Sequence, residues 1–360
     1  MTTSIQSVIK KITKVIIKVP RIISLHVTLM IKTVGRKNYA SMARSNDLSY
    51  EEVFIKKEEV KNYLDASKKF VKDTIKNLAT AENMGILIVD FTLLKKQFAK
   101  DIPSLTYDYN GIDKCVSKGI SAGFIVWSNG AVTIPFDYIL WQRKKDAGES
   151  YKKKTELAKD LIRLAKEYGI PFAEVKLDGA FSSYDMLKSM TDEHINYIAR
   201  MPSNRFIETT EGRCKISDHY ALKMRKNEKY KMIKCFYKGI PVYIIAYKRN
   251  GKNGTKEIIY LVSNINRSPE QHVVAFEGRW VIEKHFRTTK QSIGLADCQS
   301  IDAEKQQLHI FLVMATYTVL QLIKFDKKKS SVEDVLNLIR FQKTPSFFYD
   351  YFDLDRDIMC

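Results

Sequence analysis

The sequence predicts an α/β fold: a buried sheet of mixed strand directions, interrupted by a β-rich insertion and preceded by a basic helical region. Three observations carry this. Residues 85–201 alternate strand, hairpin, helix, strand, helix and strand signals. Residues 203–268 switch to Tyr-, Ile- and Lys-rich strand patterns parted by turn residues. From Pro269 helical periodicity returns. The chain has 360 residues, 45% hydrophobic and 28% charged, an ordinary globular composition. Its length suits one large domain with additions, or two to three domains.

Taken in order, Met1 to Asn46 holds nine Lys/Arg and no acid. Pro20 breaks this basic, amphipathic stretch, which reads as a packed, DNA-facing helix pair. In "NYASMARSNDLSYEEVFIKKEEVKNYL", "SNDLS" is a turn with Ser49 as N-cap, and a second helix starts at Tyr50. Helix, turn, helix fits a DNA-binding motif and equally any two-helix corner. Glu51 and Glu52 are a poor approach to phosphates.

"GILIVDFTLLKK" (Gly85–Lys96) opens with a continuous apolar run that ends at Asp90, the pattern of a strand buried on both faces. "GFIVWSNGAVTIPF" gives two strands about Asn129-Gly130. Leu157, Leu161, Leu164 and Tyr168 form a helical stripe stopped by Gly169 and Pro171. "FAEVKLDGAF" is a strand ending at Asp178, followed by a helix in "SSYDMLKSM" and a strand in "INYIARM". A buried helix is expected over Ala303–Lys324, then a short helix from Ser331 and an aromatic tail. The expected organisation is a helical, helix-turn-helix-like DNA-binding region at 1–80, a core at 84–202 and 269–325, an insertion at 203–268 and a tail at 326–360.

Sixty Lys+Arg against 41 Asp+Glu give a net charge of +19, which points to a polyanionic partner, nucleic acid before an anionic membrane. Within 203–268, fifteen Lys/Arg and eight Tyr/Phe face only five acids. That mixture suits a phosphate backbone with bases to stack on, and also the lysine-rich outer face of an ordinary sheet. Five scattered cysteines without a CxxC pair argue against a disulfide framework or zinc ribbon. The run Ile310–Ile323 is too short and polar to span a bilayer, so no membrane partner is expected. The N-terminus lacks the uncharged core of a signal peptide, and a cytoplasmic location is expected.

Three acids stand at informative places: Asp90 and Asp178 at strand ends, and Glu283 in "FEGRWVIEKHFRTTKQ". Each alone reads as readily as a cap or a solvated pair. Together, two strand-end aspartates faced by a helix-borne glutamate make an all-oxygen pocket. Such a donor set selects magnesium or manganese over zinc. Two such ions about 4 Å apart clamp the oxygens of an in-line phosphoryl transfer. At about 100° per residue, Phe276, Arg279, Glu283 and Lys290 share an arc of roughly 60°, with Arg287 beside it. Trp280, Val281 and Phe286 lie off that arc and read as core.

With these residues the chain resembles the bacterial insertion-sequence DDE transposases that have a ribonuclease-H-like core and a Tyr-x2-Arg-x3-Glu-x6-Lys signature. Here the signature is Phe276-x2-Arg279-x3-Glu283-x6-Lys290, and the first aspartate lies in Asp90-Phe91-Thr92. The resemblance covers roughly Met84 to Lys324 and includes the place and character of the insertion. It implies a ribonuclease-H-like fold and a catalytic, metal-binding triad of Asp90, Asp178 and Glu283. It also implies DNA contacts from Phe276, Arg279 and Lys290, to which geometry adds Arg287. The implied activity is cleavage at transposon ends and strand transfer, with two Mg2+ or Mn2+ ions, DNA as substrate and a homodimer on it. No small-molecule substrate is implied. A nuclease without strand transfer, or a catalytically idle DNA-binding derivative, is the alternative. The departures are Phe276 for tyrosine, Phe91 for a second aspartate, and an insertion without tryptophan. Trp127, Trp141 and Trp280 all lie outside it.

Overall fold

The computed structural model describes residues 18–111, 113–251, 255–341 and 351–352. The basic stretch before Lys18, most of the aromatic tail and Cys360 lie outside the described residues. α1 (Arg21–Lys32) begins directly after Pro20. The turn and its cap also form. α2 (Tyr39–Arg44) is followed by α3 (Tyr50–Val53), and Ser49 and Glu52 close a reciprocal capping box. The helix expected from Tyr50, however, is one turn long. The backbone extends at Phe54 before α4 (Val60–Leu78) starts.

The strands are β1 (Ile86–Lys95), β2 (Thr106–Asn110), β3 (Cys115–Ser128) and β4 (Thr133–Trp141). After α5 (Lys144–Ala147) and α6 (Lys154–Glu167) come β5 (Glu174–Leu177), α7 (Tyr184–Asp192) and β6 (Tyr197–Met201). β1 runs antiparallel to β3 and parallel to β5, and β5 is parallel to β6. β4, β3, β1, β5 and β6 thus make the ribonuclease-H-like sheet, three antiparallel strands followed by two parallel ones. Its centre is dry. Trp127 is fully buried, and its indole nitrogen donates to the carbonyls of Met84 and Pro171 at 2.8 and 2.9 Å.

The insertion holds β7 (Phe206–Thr209), β8 (Gly212–Lys215), β9 (Tyr230–Tyr237), β10 (Ile240–Asn250) and β11 (Lys256–Ser263). It does not stand apart. β11 pairs antiparallel with β6, from Tyr260 with Met201 to Ser263 with Ile198, so the insertion prolongs the core sheet. Among the described residues eleven strands form this one sheet. Helices return as α8 (Pro269–Glu277), α9 (Val281–Thr288), α10 (Ala303–Asp326) and α11 (Val332–Phe341). By length and composition α10 resembles a membrane span, yet 89% of its apolar window is buried inside the protein. It is the buried helix that its sequence predicts, packed against α1, α4 and β4.

Candidate active site

β1 and β5 run parallel, with Val89 opposite Leu177 as the last registered pair. The next residues are Asp90 and Asp178, so the two carboxylates extend from neighbouring strands on one face of the sheet. The sequence reading ends the first strand at Asp90. In the structure β1 continues to Lys95, because Leu93 and Leu94 are buried and their backbone pairs with β3. Asp90 is therefore a mid-strand residue. Asp178 does leave its strand, at the start of a 3-10 turn through Phe181.

The signature segment is not one helix. α8 ends at Glu277, a 3-10 turn spans Gly278–Trp280, α9 follows, and a π turn occupies Thr289–Ile293. Lys176 has a part in the first break. It is buried on β5, two residues before Asp178, and its ammonium donates to the Ala275 carbonyl at the end of α8. Gly278 is the residue next to that ammonium: a Cβ there would lie 2.9 Å from Lys176 Nζ. The π turn is the second break, and it carries Lys290 back toward β1.

These breaks bring Arg279 between two acids. Its guanidinium donates to Glu283 Oε1 at 2.6 Å and lies 3.5 Å from Asp90 Oδ2. Burial is the main reason the Asp90 carboxyl is pushed up to about 6. The amide of Phe91, bonded to Asp90 Oδ1 at 2.8 Å, and the charge of Arg279 oppose that rise, while Asp178 and Glu283 add to it. Asp90 thus feels the charge of both other acids. Lys290 donates to Thr92 Oγ1 at 2.5 Å and the Leu93 carbonyl at 2.9 Å, and burial, then Lys95, lowers it to about 8.

The Transposase DDE domain family matches residues 140–319, half of the chain. The DDE superfamily endonuclease family matches residues 33–214. Together the matches take in Asp90, Asp178 and Glu283. The chain belongs to the DDE transposase family. No curated protein matches it. Among solved structures it is similar to Kluyveromyces polysporus Argonaute with a guide RNA, at 11% identity and a TM-score of 0.28. That alignment covers 74% of this chain and 37% of the Argonaute chain, and a likeness at that score carries no argument.

In this DDE transposase the other signature residues take different positions. Phe276 is 9% exposed within an apolar cluster with Ile245 and Leu261. Its ring lies 5.9 Å from the Arg279 guanidinium, as a platform for that cation rather than a surface for DNA. Arg287 is exposed on α9 and makes no ion pair among the described residues. Phe286 is buried and Val281 half-buried, as expected of core. Trp280 is the correction: the sequence assigns it to the core, but the 3-10 turn leaves it 55% exposed.

DDE-type enzymes work with divalent metal ions, and the donors here are of the matching kind, three carboxylates and no thiol or imidazole. Their spacing falls short of a finished site. Among the described residues no group of three or more His, Cys, Asp and Glu side chains is gathered closely enough to hold a metal. Arg279 stands between two of the three acids, bound to Glu283 and paired with Asp90. The donor chemistry fits a hard cation once that side chain turns away.

Two participants escaped the sequence reading. Glu174, Lys176 and Asp178 alternate along one face of β5, which is itself a signal: a lysine two residues before a candidate ligand, in an otherwise apolar strand. Thr92 stands two residues after Asp90 on the same face and holds Lys290.

Proposed function

We propose that this chain cuts DNA at the ends of a mobile element and joins the freed 3′-hydroxyl to target DNA. Asp90, Asp178 and Glu283 act as the catalytic carboxylates. The observation that supports this reading is the register of β1 and β5, whose last pair, Val89 and Leu177, immediately precedes Asp90 and Asp178, together with Arg279 joining Asp90 to Glu283. Two Mg2+ or Mn2+ ions held by these acids would supply the Lewis-acid activation of water and of the leaving oxygen.

The chain's own residues do the rest. Arg279, released from the acids, and Lys290 and exposed Arg287 hold phosphates near the cut and offset the charge of the acidic pocket. Phe276 and Lys176 position Arg279 from below and from behind. In the first step water attacks the end phosphorus, the P–O3′ bond breaks, and a 3′-hydroxyl and a 5′-phosphate result. In the second step that hydroxyl attacks a target phosphorus and a target 3′-oxygen leaves, so no covalent enzyme intermediate is needed. Joining two ends calls for two protomers on DNA, acting in a bacterial cytoplasm at the nucleoid.

The test is cleavage and end-joining of inverted-repeat DNA with a labelled target plasmid in Mg2+. Asp90→Ala, Asp178→Ala and Glu283→Gln should each abolish both products while end-DNA binding persists. Nicking retained in all three variants overturns the assignment. Cleavage by the unaltered chain without joined product reduces it to a nuclease.

A further inference from the structure

A cavity of about 450 Å³ lies away from the three acids, between α1–α3 and the segment that follows the π turn. One wall is aromatic. Tyr50 and Phe54 stack with ring centres 5.3 Å apart, and Tyr39 stands edge-on to both at 6.5 and 5.5 Å. Lys305 places its ammonium 4.0 Å from the centre of the Phe54 ring. Arg44 and Lys37 also line the cavity, and no Asp or Glu does. Gln299, Ser300 and Asn38 add amide and hydroxyl groups at its rim.

The geometry points to a binding site for one nucleotide of an unpaired DNA strand, the base on Tyr50 and the phosphate between Arg44 and Lys305. Each part of that ligand answers an observation. A flat π wall selects a planar ring, because every base has a face to stack. Two cations, Arg44 and Lys305, with no carboxylate in the lining select an anion attached to that ring, while Lys37 is buried with its ammonium on the Gly35 carbonyl. Amides at the rim suit the hydrogen-bonding edge of a base. The volume falls in the lower half of the range for small-ligand pockets, too small for a duplex. Tyr50 is 46% exposed, so its ring is within reach of a ligand.

The location connects this cavity to the acids, and the assignment to DNA rests on the function proposed above. Along the face of β1 that carries Asp90, Lys96 donates to the carbonyls of Ala296 and Cys298, and Cys298 lines the cavity. Lys96 directly follows the end of β1, six positions on from Asp90, which puts their backbones roughly 20 Å apart.

The experiment titrates full-length protein into a single-stranded oligodeoxynucleotide carrying 2-aminopurine, without metal, and repeats it with dAMP as competitor. The expected result is quenching on binding, with affinity about tenfold weaker in Tyr50→Ala and Arg44→Ala and near normal in Tyr50→Phe. Both altered side chains are exposed, and an unchanged melting temperature confirms that the fold persists. Unchanged affinity in both Tyr50→Ala and Arg44→Ala overturns the site. Binding of dAMP tighter than that of the oligonucleotide overturns the strand as its source and assigns the cavity to free nucleotides. Tyr50-dependent binding in a protein that never cleaves DNA leaves the site standing and removes the catalytic reading alone.

Discussion

Replacing Arg279 by Gln should strengthen divalent-metal binding in the absence of DNA. Arg279 is 14% exposed and binds Glu283 at 2.6 Å, a charge-assisted contact worth about 1.5 kcal/mol after allowing for a Glu283 side chain that is 32% exposed. Its longer contact with Asp90, at 3.5 Å, adds about 0.5 kcal/mol. A metal entering between these carboxylates must displace both contacts. Removing them therefore favours metal by about 2 kcal/mol, or roughly 30-fold in dissociation constant. Glutamine keeps the length and polarity of the side chain without its charge. The assay is Mn2+ titration followed by the paramagnetic resonance of free ion, at pH 8, where Asp90 is ionised because its pKa is about 6. End-DNA affinity should move the opposite way, since a phosphate-binding cation has been lost. Mn2+ binding no tighter than in the unaltered chain would refute the view that Arg279 occupies the place of the metal.

Other outcomes follow from the same geometry. Asp90 is an acid whose folded pKa is raised from 3.8 to about 6, so its charged form, needed for metal, is complete only above that value; the log of single-turnover cleavage should fall by about one per pH unit below pH 6. The same sign makes this group's contribution to stability rise as pH falls from 6 toward 4, which melting curves of the unaltered chain and Asp90→Asn would separate. Lys290 is lowered from 10.5 to about 8, so end-DNA binding should weaken as pH passes from 7 to 9, and Lys290→Met should remove that dependence. A Cβ at Gly123 would run into the Phe91 ring, which stacks on Phe181 at 5.8 Å just beyond Asp178. Gly123→Ala should therefore cost about 1–3 kcal/mol in denaturant unfolding, and an unchanged midpoint would contradict the packing.

The legible parts of this chain are those set by local pattern. A continuous apolar run marks β1, Asn129-Gly130 marks the β3–β4 turn, and Ser49 marks a cap, because each depends on a few adjacent residues. Strand β2 was not legible: "TYDYN" is a polar edge segment whose pairing with β3 is set by its partner. That the insertion shares the core sheet depends on β11 meeting β6 some sixty residues earlier, which no window of sequence contains. The shared arc of Phe276, Arg279, Glu283 and Lys290 holds only for an unbroken 3.6-residue period. Gly278 beside Lys176 and the π turn break that period, and the exposure of Trp280 is the result.

The same breaks explain why one arginine can serve two partners. In a straight helix Arg279 and Glu283, one turn apart, would form a solvated pair worth a few tenths of a kcal/mol. The 3-10 turn rests on Phe276 and is tied to β5 through Lys176, which moves the guanidinium onto the sheet face, over Asp90. Like-charged carboxylates crowded on a sheet face raise one another's pKa, and a cation fixed on that face limits the rise without a metal. Such a cation must hold weakly enough to be displaced. The geometry meets that condition with one short contact to a third-exposed glutamate and one long contact to the aspartate. An Arg279–Asp90 contact as short and buried as a structural salt bridge would instead have locked the site.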